Sequence, residues 1–485
     1  MNPVLLQFML ESFDKQLAAD SKSVQSRFYR AYVLTQMGRV NEAIDEYIHL
    51  LKQDATHAGA LNNLGKLLYE TKRPSAAKLA FKEAVAQHPR DALAHANLAE
   101  LLMEAGELAE ARHHYELAIQ LNPGCSQAHR GLSYVLWELG DEQQAAIHRE
   151  IGFRSHPIMV YPYHGEQPPV SLLLLASAIG GNVPFKNFLD NNIFQTYVVF
   201  VEFCTSNTVL PAHQFVLNGI GDADMSAPAL DVAMSIIQRT TAPVVNSPSA
   251  VLATRRAANA KRFLEVPGVI IPRMNVMLRE NLESADAVNS LAQLGFEFPI
   301  LLRTPGYHTG KHFLKVESPG DVSSALQETP GRELLVIQYI ESRSPDGNFR
   351  KYRVMMIQGQ LYPLHLAISS DWKVHYFSAE MVNHHEFRLE EAEFLNDMPR
   401  VLGSRAMTAL AKIQEILGLD YCGVDFALTP EGDVILFEAN ATMVVNPPES
   451  DECWDYRRSS VDLIEQAVRK MLLGTAGRPA ITTEL

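Results

Sequence analysis

Between residues 24 and 159, apolar side chains recur at helical spacing, and the whole pattern recurs every 34 residues. The stretches LNNLGKLLYE (61–70) and HANLAELLME (95–104) align at that spacing, as do AAKLAFKEAVAQHP (76–89) and EARHHYELAIQLNP (110–123). Leu64, Leu98 and Leu132 are equivalent, and so are Leu34, Leu68, Leu102 and Leu136. They mark the core face of the first helix in each unit. Ala43, Ala77, Ala111 and Ala145 hold one position on the second helix, where a small side chain lets two helices approach closely. Tyr47, Phe81 and Tyr115 follow four residues later as the larger packing group. Pro89, Pro123 and Pro157 end the second helix, because proline cannot continue it. Four helical pairs are expected at 24–57, 58–91, 92–125 and 126–159, after an N-terminal helix within 1–23.

The 34-residue period, the small residue and the terminal proline resemble the tetratricopeptide repeat. The leading tryptophan of that repeat is absent, its place taken by Arg27, Leu61, His95 and His129, and Arg149 stands where the fourth aromatic belongs. The resemblance implies a solenoid whose concave face binds a peptide or protein partner. The alternative is an array that only packs on its neighbour or scaffolds a homodimer. The adjacent His113 and His114 read as a solvated helix face.

The pattern breaks at SHPIMVYPYHGEQPPV (155–170), a proline-rich linker. Beyond it, strand-like runs VSLLLLASAIG (170–180), TYVVFVEF (196–203) and APVVNSP (242–248) alternate with the helical SAPALDVAMSIIQRT (226–240). This predicts an α/β domain over 160–248. Elements lengthen from 249: SAVLATRRAANAKRFLEV (249–266) reads as helical, and SADAVNSLAQLG (284–295) as a helix stopped by Gly295. This second domain runs to 475, leaving a tail at 476–485.

Four segments of that domain carry chemistry. In FPILLRTPGYHTGKHFLKV (298–316) an apolar strand carries Arg303 and opens into a loop with Gly306 and Gly310. A cation before a flexible glycine loop suits polyphosphate, although a β-hairpin with two glycines has the same appearance. LLVIQYIES (334–342) is a strand that ends polar. NFRKYRVMMIQGQLYPLHLAIS (348–369) reads as two strands around Gly359 and brings Arg353 into an apolar strand. Half-buried there, it needs an anion or a structural carboxylate partner.

In LDYCGVDFALTPEGDVILFEANATM (419–443) two strands flank the turn TPEG. Glu438 and Asn440 end the second strand two residues apart, so they share a face. They are either a solvated strand end or two oxygen ligands for one cation. If Leu428 pairs with Asp433, Asp425 falls opposite Leu436, on the face of Glu438 and Asn440. Asp, Glu and Asn together suit Mg²⁺. A slip of one residue would turn Asp425 to the other face.

With those residues in place, residues 170–473 resemble the ATP-grasp enzymes, such as D-alanine–D-alanine ligase, glutathione synthetase and the ribosomal-protein glutamate ligases. The resemblance implies a multidomain chain: an all-α repeat solenoid, an α/β pre-ATP-grasp domain and an α+β ATP-grasp fold. It implies that Asp425, Glu438 and Asn440 hold Mg²⁺ and that Arg256, or else Arg255, joins Arg303 in contacting ATP phosphates. The loop from Gly306 to Lys311, with His308 and Gly310, would cover those phosphates. Gln338, Tyr339 and Ile340 would read adenine, and Arg353 would stabilise the transferred phosphoryl group. Arginine stands at two cation positions where many relatives carry lysine, so phosphate meets a planar fork instead of a point charge. The implied activity is ATP- and Mg²⁺-dependent ligation of a carboxylate, activated as an acyl-phosphate, to an amine or similar nucleophile. Two alternatives use the same residues: an adaptor that senses nucleotide, and a small-molecule kinase.

Composition narrows the partners. The 485 residues are 47% hydrophobic and 20% charged, with a net charge of −14. That suits a globular chain of several domains and argues against nucleic acid, which needs a basic stripe. Cys125, Cys204, Cys422 and Cys453 are scattered, without metal or disulfide spacing, which fits a reducing compartment. The start MNPVLLQFMLESFDKQ lacks a signal-peptide pattern, and VSLLLLASAI (170–179) is too short to span a bilayer. The expectation is a soluble cytoplasmic protein without a membrane partner. His308 with His312, and His384 with His385, read as surface histidines.

Overall fold

A computed structural model describes residues 3–305, 310–375, 379–449 and 451–478. The chain divides into two compact units. The first comprises 1–169, with 191–196 and 203–208; the second comprises 170–190, 197–202 and 209–485.

The first unit is helical. Pro3–Ala19 precedes four antiparallel pairs: Val24–Gln36 with Val40–Gln53, Ala58–Glu70 with Pro74–Gln87, Ala92–Glu104 with Leu108–Leu121, and Ser126–Glu138 with Glu142–Arg154. The N-caps of the first helices, Ser23, His57, Asp91 and Cys125, themselves recur every 34 residues. Asp91 accepts from the amides of Leu93 and Ala94, satisfying donors that a helix start leaves open. The four alanines of the second helices are fully buried, with Tyr47, Phe81 and Tyr115 beside them.

Two histidines stand in for the missing tryptophans. His95 and His129 are buried, and each Nε2 meets a carbonyl, of Pro89 and Pro123 respectively. Each Nδ1 faces the Nδ1 of a second histidine, His114 at 2.9 Å and His148 at 2.8 Å. The reading of His113 and His114 as one solvated face is corrected here. His113 is exposed, but His114 is half-buried against His95, because adjacent helical residues point about 100° apart.

The second unit contains three sheet regions. Strands Val170–Ala176, Phe215–Asn218 and Val244–Val245 are parallel, with helix Ala227–Ile237 between the last two in sequence. A four-stranded antiparallel sheet follows, in the order Met274–Leu278, Glu333–Gln338, Ile300–Arg303, Phe313–Val316. Its Met277, Ile300, Leu302, Leu334 and Val336 are buried with Leu291 and Leu326 of the covering helices. By strand alternation, Met274, Leu301, Arg303, Leu335 and Ile337 face the other way.

A five-stranded sheet has the order Gln360–Ser369, Phe349–Ile357, Tyr421–Leu428, Val434–Asn440, Val269–Ile270, antiparallel except for the last pair. Helices His385–Asn396, Met398–Leu417 and Arg458–Thr475 pack on it. The helix expected across 249–266 is broken. Pro248–Leu252 and Arg256–Arg262 are separate, because Arg255 takes an extended ψ of 129° as the N-cap of the second. Among the described residues no helix is long and apolar enough to cross a membrane.

Candidate active site

The five-stranded sheet sets the site. Leu428 lies opposite Val434, not Asp433, so the expected register is off by one. A β-bulge then interrupts the ladder: Phe426 faces Leu436, but the next residue back, Asp425, faces Glu438. Phe437 is the extra residue, and it reverses the alternation between Leu436 and Glu438. The expectation that Leu436 shares the face of Glu438 and Asn440 is therefore corrected. Leu436 falls on the opposite face, while Asp425 still meets Glu438. A second irregularity lies on the other side of the sheet, where Arg353 faces His365 and Val354 faces Pro363, leaving Leu364 extra. His365, Arg353, Asp425 and Glu438 thus form one row across four strands.

The row is wired by charge. Arg353 grips Asp425 with both arms, Nε to Oδ1 at 2.6 Å and Nη2 to Oδ2 at 2.8 Å. Lys351, two residues earlier on the same face, adds an Nζ contact of 3.2 Å to Oδ2. Burial alone would raise the Asp425 carboxyl, but Arg353 and Lys351 hold it well below the usual carboxylate range. Arg256 Nη2 meets Glu438 Oε1 at 2.6 Å. For Glu438 too, burial is outweighed, chiefly by Arg256, and its pKa is lowered. Asn440 Nδ2 donates to the same Oε1 at 2.8 Å, while its Oδ1 accepts from the amide and hydroxyl of Thr442.

Two cavities open on this row. The larger, about 460 Å³, lies between the antiparallel sheets, lined by Met274, Leu301 and Ile337 on one side and Arg353, His365 and Asp425 on the other. The smaller, about 310 Å³, is lined by Asp222, Asp224, Arg255, Asn259 and Asn440 among others. Arg256, Met274, Arg303, Phe437 and Glu438 belong to both. Burial, followed by the neighbouring Arg256, lowers Arg303 to about 10.

Most residues singled out from sequence meet here. Arg256, Arg303, Gly310, Gln338, Tyr339, Ile340, Arg353, Asp425 and Glu438 line the larger cavity, and Asn440 the smaller. Arg255 reaches only the smaller one, with Nε on the Ala223 carbonyl. Lys311 lines neither. Gly306 and His308 lie outside the described residues. The Gln338 carboxamide is spent on the neighbouring loop, accepting from Glu297 N and donating to Glu297 O.

Sequence reasoning missed Lys351 and Lys373 as site cations. Lys351 was legible as the residue two before Arg353. Lys373 carried no signal: its Nζ crosses to the Phe313 carbonyl at 3.1 Å, and its chain lies over Gly310. His365 and His375 also line the larger cavity. Burial, and then the adjacent cations, push both below the usual histidine range.

Comparison with known proteins gives a match at one end of the chain. The tetratricopeptide repeat family model matches residues 34–101 and 68–133. The N-terminal region is thus an array of tetratricopeptide repeats, followed by a mixed α/β region with several sheets. Among solved structures, MamA (41-end) from Desulfovibrio magneticus RS-1 is 21% identical, covering 30% of this chain and 85% of its own, with a TM-score of 0.28. YrrB, described as a TPR protein with an unusual peptide-binding site, is 20% identical over 31% of this chain and 78% of its own, with a TM-score of 0.28. PilF of Pseudomonas aeruginosa is 22% identical over 34% of this chain and 72% of its own, with a TM-score of 0.29. No curated protein matches the chain.

Proposed function

We propose that the second unit is an ATP-grasp ligase that joins a carboxylate to an amine, and that the repeat array binds a peptide or protein substrate or partner. One observation carries the reading. Among the described residues, the acidic side chains lining the larger cavity are Asp425 and Glu438 alone, against Arg256, Arg303, Lys351, Arg353 and Lys373, with Arg350 and Arg457 also in the lining but paired with Asp346, Glu390 and Glu391 outside it. An excess of buried cations between two sheets calls for a polyanion. The apolar end, Met274, Leu301 and Ile337 beside Tyr339 and Ile340, suits a flat base.

The donors are of the type that suits Mg²⁺. Asp425, Glu438 and Asn440 carry hard oxygens, and they would hold the ion by exchanging it for present partners such as Arg353, Lys351, Arg256 and Thr442. MgATP supplies the phosphoryl group that activates a substrate carboxylate for attack by the amine. The chain's own part is positioning and charge stabilisation. Arg256 and Arg303 neutralise phosphate oxygens at the junction of the two cavities, which frees Glu438 from Arg256. Arg353, held by Asp425, keeps its charge at a fixed place in the row.

The test is ADP and phosphate release from the full chain with pools of carboxylates and amines or peptides, with products weighed by mass spectrometry. A condensed product is expected. A phosphorylated product without condensation would replace the ligase by a kinase. Tight ATP binding without turnover on any pool would leave only a nucleotide sensor.

A further inference from the structure

After the last repeat helix ends at Arg154, the segment Pro157 to Pro169 returns to residues on the first helices of earlier repeats. Tyr161 comes within electrostatic reach of Glu100 in the third repeat and Tyr69 in the second. His164 reaches the first repeat, where its Nδ1 meets the Gln36 carbonyl at 3.3 Å. Its Cβ packs so closely on Gly38 that a side chain there would clash at 2.9 Å. The other edge of the segment is held by main chain: Tyr161 N donates to Thr196 O at 3.0 Å, and His164 N to Asn191 O at 2.9 Å. Ile158–Val160 is a strand, and Pro162, Pro168 and Pro169 keep the rest from turning helical.

An extended, tyrosine-bearing, proline-punctuated strand laid across successive repeats has the form of a bound peptide. We propose that the inner face of repeats one to three is a peptide groove closed by the chain's own Tyr161–His164 segment, and that its partner is an extended peptide carrying tyrosine and proline which competes for that place. The proposal rests on reading the array as a peptide-binding surface, and it adds that the surface is self-occupied. It is independent of the ligase reading. Covalent attachment gives the internal segment an effective concentration on the order of millimolar. A free peptide of the same sequence therefore competes poorly until the segment is weakened.

The probe is a fluorescent peptide with the sequence PIMVYPYHGEQPP, titrated by anisotropy into the full-length chain and into a Tyr161→Ala, His164→Ala double variant. The variant is expected to bind the peptide about tenfold tighter or more than the wild type. Equal affinity for both would overturn self-occupancy while leaving a peptide surface in place. Binding to neither would overturn the peptide groove itself. Hydrogen exchange on the unaltered chain gives a test that needs no variant. Excess peptide is expected to accelerate exchange at the Tyr161 and His164 amides, and unchanged exchange at saturating peptide would overturn the proposal.

Discussion

Asp425 stands directly opposite Glu438 across two antiparallel strands, and it does so because Phe437 is an extra residue in the second strand. Each carboxylate has its own arginine, Arg353 for Asp425 and Arg256 for Glu438. The pair is thus pre-charged and pre-aimed at the cavity between the sheets. The two arginines are equally buried, at 21% and 19% exposed, but Asp425 is held by two contacts at 4% exposure while Glu438 takes one contact from its arginine at 26%. Exchange of partners is easier at the second pair, and that difference separates their roles.

Glu438→Gln keeps the shape and removes the charge. Its loss leaves Arg256 short of its carboxylate partner in a site only 19% to 26% exposed, a cost of about 1–3 kcal/mol. The expected result is a loss of ATP-dependent turnover of about a hundredfold or more, with the melting temperature lowered by only a few degrees. Steady-state ADP release and a thermal melt on the same preparation check both halves. Full activity in this variant would remove Glu438 from the site.

Much of this was legible in the chain, for reasons that differ by region. The repeats were readable because each unit packs only on its neighbours, so the 34-residue spacing of Ala43, Ala77, Ala111 and Ala145 translates directly into contacts. The strands around Asp425 were readable from their apolar runs. Their register was not, because a bulge adds one residue without any compositional mark. The slip at Val434 and the bulge at Phe437 add to a shift of two residues, which restores the face, so Asp425 and Glu438 share it despite a wrong pairing of Leu428. The partners of His95 and the reach of Lys373 depend on contacts distant in sequence, and local pattern does not encode them.

Arg353 and Asp425 form a pair whose disruption is structural first. Truncating either alone leaves a buried charge and is expected to cost about 3–5 kcal/mol, while the double truncation costs less than the sum. The pH dependence follows from the depressed Asp425 carboxyl. Its folded pKa lies below the unfolded value of about 4, so its contribution is complete above that pH and is lost as pH falls further. Urea unfolding of wild type and Asp425→Asn should show a stability gap at pH 7 that narrows below about pH 4. A gap independent of pH would contradict the ion-pair account.

Lys373 brings a cation from a loop outside both sheets to the glycine at the cavity mouth. Its Nζ donates to the Phe313 carbonyl, and among the described residues no salt bridge holds it. Lys373→Ala should raise KM for ATP about tenfold with kcat little changed, the signature of lost ground-state binding. A fall in kcat with KM unaltered would move Lys373 into the transition-state machinery.

Arg303 carries a trade between stability and binding that can be measured without knowing the acceptor. Its pKa is lowered to about 10, first by burial and then by Arg256. A depressed arginine is charged at neutral pH against the preference of its surroundings. The unfolded chain holds that proton more tightly, so stability rises as pH climbs from about 10 toward the unfolded value. Removing the charge should therefore help the ligand-free protein and harm the complex. Arg303→Met is expected to raise the melting temperature without nucleotide by about 1–3 °C, and to abolish most of the upward shift that a non-hydrolysable ATP analogue gives wild type. A variant that melts lower without ligand yet keeps the full ligand-induced shift would place Arg303 in the scaffold and take it out of phosphate binding.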